Sequence, residues 1–174
     1  MADSKQQIPV TPQHIRLPRD STSGALLTID NSVHKILEGA AFGAYIANFV
    51  SSPNSQTLLL TTPNTSKRIY LSFKINTTSL VKYFLYENPT ISAAGTDITI
   101  YNKDRNSASA ATMTVKHTPS VTSVGTTLLT TEYFSGIIES GLWILKQNEE
   151  YLLKATIVSA ANAYITTLVD WIEV

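Results

Sequence analysis

Three histidines, His14, His34 and His117, are the side chains best suited to metal ligation or general acid–base work in this chain. Asp30, His34 and Glu38 recur every fourth residue, a spacing that would line one face of a helix and offer a cation two carboxylates and an imidazole. Gly39 and the β-forming residues downstream argue against that helix, so the three read as unrelated polar side chains. Asn102 to Ser107 opens like a calcium loop, with oxygen donors at alternating positions. Its sixth position is Ser107 rather than glycine and its twelfth is Met113 rather than glutamate. The expectation is a polar turn whose Asn and Asp side chains cap nearby backbone groups, with Arg105 free to reach a carboxylate on a neighbouring strand or subunit.

Other reaction classes fare no better. No Gly-x-Ser-x-Gly elbow is present for a serine nucleophile. Glycoside cleavage needs two carboxylates across a groove, and Glu38, Glu87, Glu132, Glu139 and Glu149 are the acids that folding would have to bring together. Trp143, Trp171 and eight tyrosines would suit sugar stacking. Trp171, however, lies in the dense apolar segment Tyr164 to Val174, and Trp143 starts a strand–turn–strand run ending at Leu153. Both are expected as core anchors, together with Phe42 in the apolar stretch Ala40 to Val50. The expectation is a protein without catalytic residues, metal or cofactor.

The elements that position these residues are strands. Pro89-Thr90-Ile91-Ser92-Ala93-Ala94-Gly95-Thr96-Asp97-Ile98 returns as Pro119-Ser120-Val121-Thr122-Ser123-Val124-Gly125-Thr126-Thr127-Leu128. Each copy is a proline, a β-rich run, a glycine and a second β-rich run, which describes strand, turn, strand, with Pro89, Gly95, Pro119 and Gly125 as structural turns. Ile69, Leu71, Phe73 and Ile75 alternate with polar neighbours, the period of a half-buried strand. Further strands are expected over Thr57 to Thr62, Val81 to Glu87, Asp97 to Asn102, Thr112 to His117, Thr126 to Thr131, Leu142 to Lys146, Tyr151 to Ile157 and Ala163 to Glu173. Val33 to Leu37 has room for one helical turn. The fold class is all-β, an antiparallel β-sandwich of jelly-roll type over residues 25–174. Residues 1–24, polar and carrying Pro9, Pro12 and Pro18, form an extended N-terminal arm expected to lie against a neighbouring subunit.

Composition bounds the partners. A chain of 174 residues buries roughly 70% of its unfolded surface, enough for one core. Charged residues make up 15%, the formal net charge is zero, and Ser and Thr fill about a quarter of the positions. Such a neutral surface favours association and disfavours nucleic acid, which calls for a basic face. No cysteine is present, so thiol nucleophiles and thiolate metal sites are excluded, and a reducing cytosol is a suitable place of synthesis. The start lacks the pattern of a secretory signal and no apolar run is long enough for a membrane span.

Several stretches together resemble the small jelly-roll decoration, or head stabilisation, proteins of tailed bacteriophage capsids. They are Leu26 to Phe42 with His34, Glu38 and Gly39; Thr62-Pro63-Asn64-Thr65; Glu87 to Thr90 with Gly95-Thr96; and Asn102 to Ser107. Thr118-Pro119 with Gly125-Thr126, Ile144 to Lys146, Tyr151 to Leu153 and Trp171 follow in the same order. The chain departs from the family pattern at Leu37, where a second histidine is common, and at Trp171-Ile172, where an aromatic pair is reduced to one ring. The resemblance implies a homotrimer on the outer surface of the capsid, bound to the major capsid protein and made in the host cytoplasm. Ile15, Arg16, Leu17 and Arg19 of the arm are then the expected anchors for capsid or inter-subunit contact. The competing reading is a carbohydrate- or receptor-binding head or fibre protein of a virion, in which exposed aromatics hold a glycan.

Overall fold

The computed structural model describes residues 31–174. The arm anchors Ile15, Arg16, Leu17 and Arg19, and the side chains His14 and Asp30, lie outside the described residues. One short helix, α1 (Asn31–Leu37), opens the described chain, so the helix that Gly39 argued against does form. It ends where Gly39 N–H donates to Ile36 and Ala40 N–H to Lys35, closing the last carbonyls just before the first strand.

Twelve strands follow: β1 (Ala41–Val50), β2 (Ser55–Thr61), β3 (Ile69–Glu87), β4 (Thr90–Ala93), β5 (Thr96–Asp97), β6 (Ile100–Asn102), β7 (Thr114–His117), β8 (Ser120–Ser123), β9 (Thr127–Glu139), β10 (Trp143–Leu145), β11 (Glu150–Ile157) and β12 (Ala163–Glu173). Every pairing is antiparallel, and the fold is all-β. The main sheet runs β5-β7-β2-β11-β3-β12-β1-β6, with β9 and β10 on the other edge of β3.

The long strand β3 builds the sandwich. On one edge its residues Ile69 to Thr77 pair with β12 and Val81 to Glu87 pair with β11. Between them the register with β9 slips, from Thr77 opposite Gly136 to Val81 opposite Phe134. Such an irregularity turns a strand from one layer into the next. The sheet therefore folds over itself into a first layer, β6-β1-β12-β3, and a second, β3-β11-β2-β7-β5. Residues of both layers meet in one core that includes Leu58, Leu60, Leu71, Ile75, Leu85, Val115, Leu153 and Ile165. A leucine or isoleucine so enclosed contributes about 2 kcal/mol by leaving water. Phe42 and Trp171, each 2% exposed, lie in this core with ring centroids 5.9 Å apart. Polar side chains also bridge the layers: Gln56 of β2 donates to the Ile165 carbonyl and accepts from the Thr167 hydroxyl, both on β12.

Several local expectations change. Ile69–Ile75 and Val81–Glu87 are one strand, because the polar run Asn76 to Leu80 stays extended through the corner. Asp97 to Asn102 is two strands, since β5 pairs with β7 in the second layer while β6 pairs with β1 in the first. The strand expected over Thr126 to Thr131 continues to Glu139. The run from Trp143 does not close as a hairpin: β10 pairs with β3, and Asn148 at φ 54° makes the turn into β11. Trp143 is half-buried against the core.

The two repeat copies pair with each other rather than folding into separate hairpins. β4 and β8 form a two-stranded ribbon in which Thr90 faces Ser123, Ile91 faces Val121 and Ala93 faces Ser120. Adding thirty to Thr90 and Ala93 gives Ser120 and Ser123, so the pairing maps onto itself under a twofold exchange of the copies. The same exchange relates β3 to β7 and β11 to β2, and its axis passes through the facing pair Leu59 and Leu152. The ribbon therefore sits over the outer side of the second layer. Pro89 and Pro119, both buried, are its two stems, each entered from a left-handed residue, Asn88 at φ 57° and Thr118 at φ 53°.

Candidate functional site

Among the described residues, the types that suggested chemistry do not converge. His34 Nε2 on α1 lies 2.9 Å from Oε1 of Glu38, just past the helix, both well exposed, and the hydrogen bond from Lys35 holds the Glu38 carboxyl below the usual carboxylate range. His117 Nδ1 is 2.7 Å from the Thr118 hydroxyl at the foot of the ribbon, on a different element from His34. Among the described residues no group of three His, Cys, Asp or Glu side chains is placed to hold a metal ion. The calcium-like run behaves as a capped turn: Asn102 Oδ1 accepts from Asp104 N–H, and Asp104 Oδ1 accepts from Asn106 N–H. The Asn102 amide donates to the carbonyls of Gly39 and Ser109, tying this loop to the end of α1. Arg105 is exposed and meets no carboxylate among the described residues.

Of the acids, Glu139 and Asp170 line one depression of about 390 Å³ with Ser72, Phe73, Lys74, Ser140 and Leu168. Each already holds a lysine, Glu139 with Lys74 and Asp170 with Lys103, whose Nζ lies 2.9 Å from Oδ1 without the alignment of a hydrogen bond. Burial, reinforced by Asp170, pushes the neighbouring Tyr101 hydroxyl up. Glu87 is buried and held by Lys146 at the surface. Glu132 and Glu149 lie on separate elements, at β9 and before β11.

Glu173 is the acid that sequence reasoning missed. Its side chain is fully enclosed and accepts from Thr112 N–H, the Thr112 hydroxyl, Met113 N–H and the Trp171 indole N–H, while Lys67 approaches to 3.4 Å. Burial alone would raise its pKa, and the hydrogen bonds from Thr112, Met113 and Trp171 outweigh it, leaving the group below the ordinary glutamate value. This carboxylate locks the bend at Thr112 and Met113, just before β7, to the end of β12, so its role is structural. The signal was present in its parity: Glu173 falls in the inward set with Ile165, Val169 and Trp171.

What the strands do expose is large and apolar. On the outer face of the first layer, Phe49 faces Tyr164 with ring centroids 5.1 Å apart, edge to face, and Tyr45 faces Leu168. Ala47, Thr166, Asn76 and Ile137 form the row between them. Tyr45, Phe49, Ile137 and Tyr164 are each between 55% and 61% exposed. The face belongs to one sheet, and its nearest charges, Lys74 with Glu139 and Lys103 with Asp170, are paired at its border.

The outer face of the second layer differs. Lys82, Phe84 and Tyr86 alternate outward along β3, opposite Val81, Tyr83 and Leu85 turned into the core. The Phe84 and Tyr86 rings stack at 5.6 Å and 14°, and the Lys82 ammonium lies 5.0 Å from the Phe84 ring centre and 4.6 Å from that of Tyr133 on β9. Lys154 of β11 stands directly opposite Phe84.

The chain matches no known protein family, no characterised protein and no solved structure. Among the described residues no helix is long and apolar enough to cross a membrane.

Proposed function

We propose that this protein is a virion structural protein that decorates and stabilises the outer surface of a tailed-phage capsid as a homotrimer, bridging subunits of the major capsid protein. The observation that carries this reading is the exposed apolar face of the first layer, Tyr45, Phe49, Ile137 and Tyr164. A contiguous apolar patch with paired charges at its rim is what a permanent contact between proteins requires. A chain with zero net charge sets up little repulsion when identical surfaces meet around a symmetry axis. The ordered set of motifs that resembles head stabilisation proteins, with their jelly-roll sandwich, supplies the shell as the larger partner.

The mechanism is mechanical. Packed DNA pushes a shell outward, and a trimer spanning neighbouring subunits adds contact that must break before the shell opens. Permanent interfaces of this kind bury about 2,000 Å² or more. The test is a mass measurement in solution followed by mixing with undecorated capsids. A trimer that co-sediments with shells, and a deletion of residues 1–20 that weakens attachment, is the expected result. A monomer that leaves shells untouched overturns the reading.

A further inference from the structure

We infer that the outer face of the second layer is a binding site for an acidic saccharide, a sugar chain bearing carboxylates, seated on Phe84 and Tyr86 between Lys82 and Lys154. Eight lysines fall within the described residues, and six of them, Lys35, Lys67, Lys74, Lys103, Lys116 and Lys146, sit against a carboxylate. The two that do not are Lys82 and Lys154, and they are neighbours: Lys154 faces Phe84, and Lys82 lies two residues along the same strand on the same face. Among the described residues the unneutralised ammonium charge is thus concentrated at one spot, and that spot is paved with aromatic rings.

The geometry suits rings with attached anions. Phe84 and Tyr86 stack within 14° of parallel with centroids 5.6 Å apart, so the two rings form one stepped aromatic ledge, with the Lys82 ammonium over Phe84. Lys82 is held over Phe84 and Tyr133 by cation–π attraction, which fixes its ammonium at the platform's end without neutralising it. Sugar rings stack their C–H faces on such a platform, and each lysine can meet a carboxylate of the same chain. Other anionic partners fit less well. Single-stranded nucleic acid needs a basic groove that follows its phosphates, and here the remaining lysines are paired and scattered. Protein partners avoid lysine at the centre of their contacts. The inference rests on different residues and a different layer from the shell-binding reading and stands without it.

The test is calorimetric titration of the full chain with oligogalacturonate, oligosialate and a hyaluronan oligosaccharide, each beside a neutral oligosaccharide of equal length, poly-glutamate and oligothymidylate. The expected result is binding of at least one acidic saccharide. It should weaken about tenfold in Lys82→Gln and in Lys154→Gln and be lost in Phe84→Ser, while Lys116→Gln binds as the parent does. Circular dichroism of each variant separates lost binding from lost fold, and the lysine variants, lying on the surface, decide the matter if Phe84→Ser unfolds. No binding to any of the three, equal binding by the neutral chains, tighter binding of poly-glutamate or oligothymidylate, or lysine variants that bind like the parent would each overturn the assignment.

Discussion

Gly95 and Gly125, thirty residues apart in sequence, each lie against the backbone of the other's repeat. A Cβ on Gly95 would come within 2.2 Å of the His117 carbonyl oxygen, and one on Gly125 within 2.4 Å of the Glu87 carbonyl oxygen. Both adopt left-handed backbone, φ 88° and 104°. The two copies are therefore clasped reciprocally, each glycine serving as the notch that receives the other copy's entering strand.

Gly95→Ala and Gly125→Ala are each expected to cost about 3 kcal/mol, combining left-handed strain with a clash against backbone that cannot swing aside. Gly136→Ala supplies the comparison. It sits at φ 84° with open space where a Cβ would be, and should lose only about 1 kcal/mol. Urea unfolding midpoints check both, and equal losses at all three positions would remove the reciprocal clasp as the cause.

The buried Glu173 carboxylate makes stability depend on pH in a stated direction. Its folded pKa lies below the unfolded value, so its contribution is fully present above the ordinary glutamate pKa and is lost as pH falls through the folded pKa. Glu173→Gln leaves an amide N–H₂ among donors from Thr112, Met113 and Trp171, a loss of about 2 to 3 kcal/mol at neutral pH. A pH series of unfolding midpoints should show a shallower acid limb in the variant. Parallel curves would remove Glu173 as a source of the acid sensitivity.

Leu71→Ala empties a fully buried position of the bent strand and is expected to cost about 2 to 5 kcal/mol. Ile144→Ala, on the neighbouring β10 and 62% exposed, should change stability by less than about 0.5 kcal/mol. Thermal unfolding of the pair tests whether the inward set follows the register.

Phe49→Ser with Tyr164→Ser breaks the aromatic pair of the first layer at positions where the side chains contribute little to the core. The double variant should remain folded by circular dichroism while sedimentation shifts towards the monomer. Unchanged assembly would move the subunit contact to another surface.

Legibility in the sequence tracked distance along the chain. The alternation from Ile69 to Ile75 reads directly because a strand's own period shows which face is buried. The continuation through Asn76-Thr77-Thr78-Ser79-Leu80 does not, since a polar run resembles a loop until the ladders that end at Thr77 and resume at Val81 are known to flank it. The repeat was visible as composition, yet its pairing with itself was not, because Ile91 meets Val121 only after three strands have been placed between them. The second-layer platform shows the same divide. Lys82, Phe84 and Tyr86 alternate in plain view, whereas Lys154 and Tyr133 join them only through cross-strand register. The resemblance to head stabilisation proteins pointed to the arm and the core anchors, and neither exposed face was legible in it.

Because Ile69 to Glu87 is one unbroken peptide serving both layers, there is no seam along which the halves can part. Pulling the first layer loose strips ladder bonds to β9 over Lys74 to Thr77 and to β12, and pulling the second strips those over Val81 to Glu87 and to β11. Fluorescence of Trp143 and Trp171, circular dichroism of the backbone and amide exchange in β11 should consequently all report one shared melting event, as in a rope whose central strand runs from end to end.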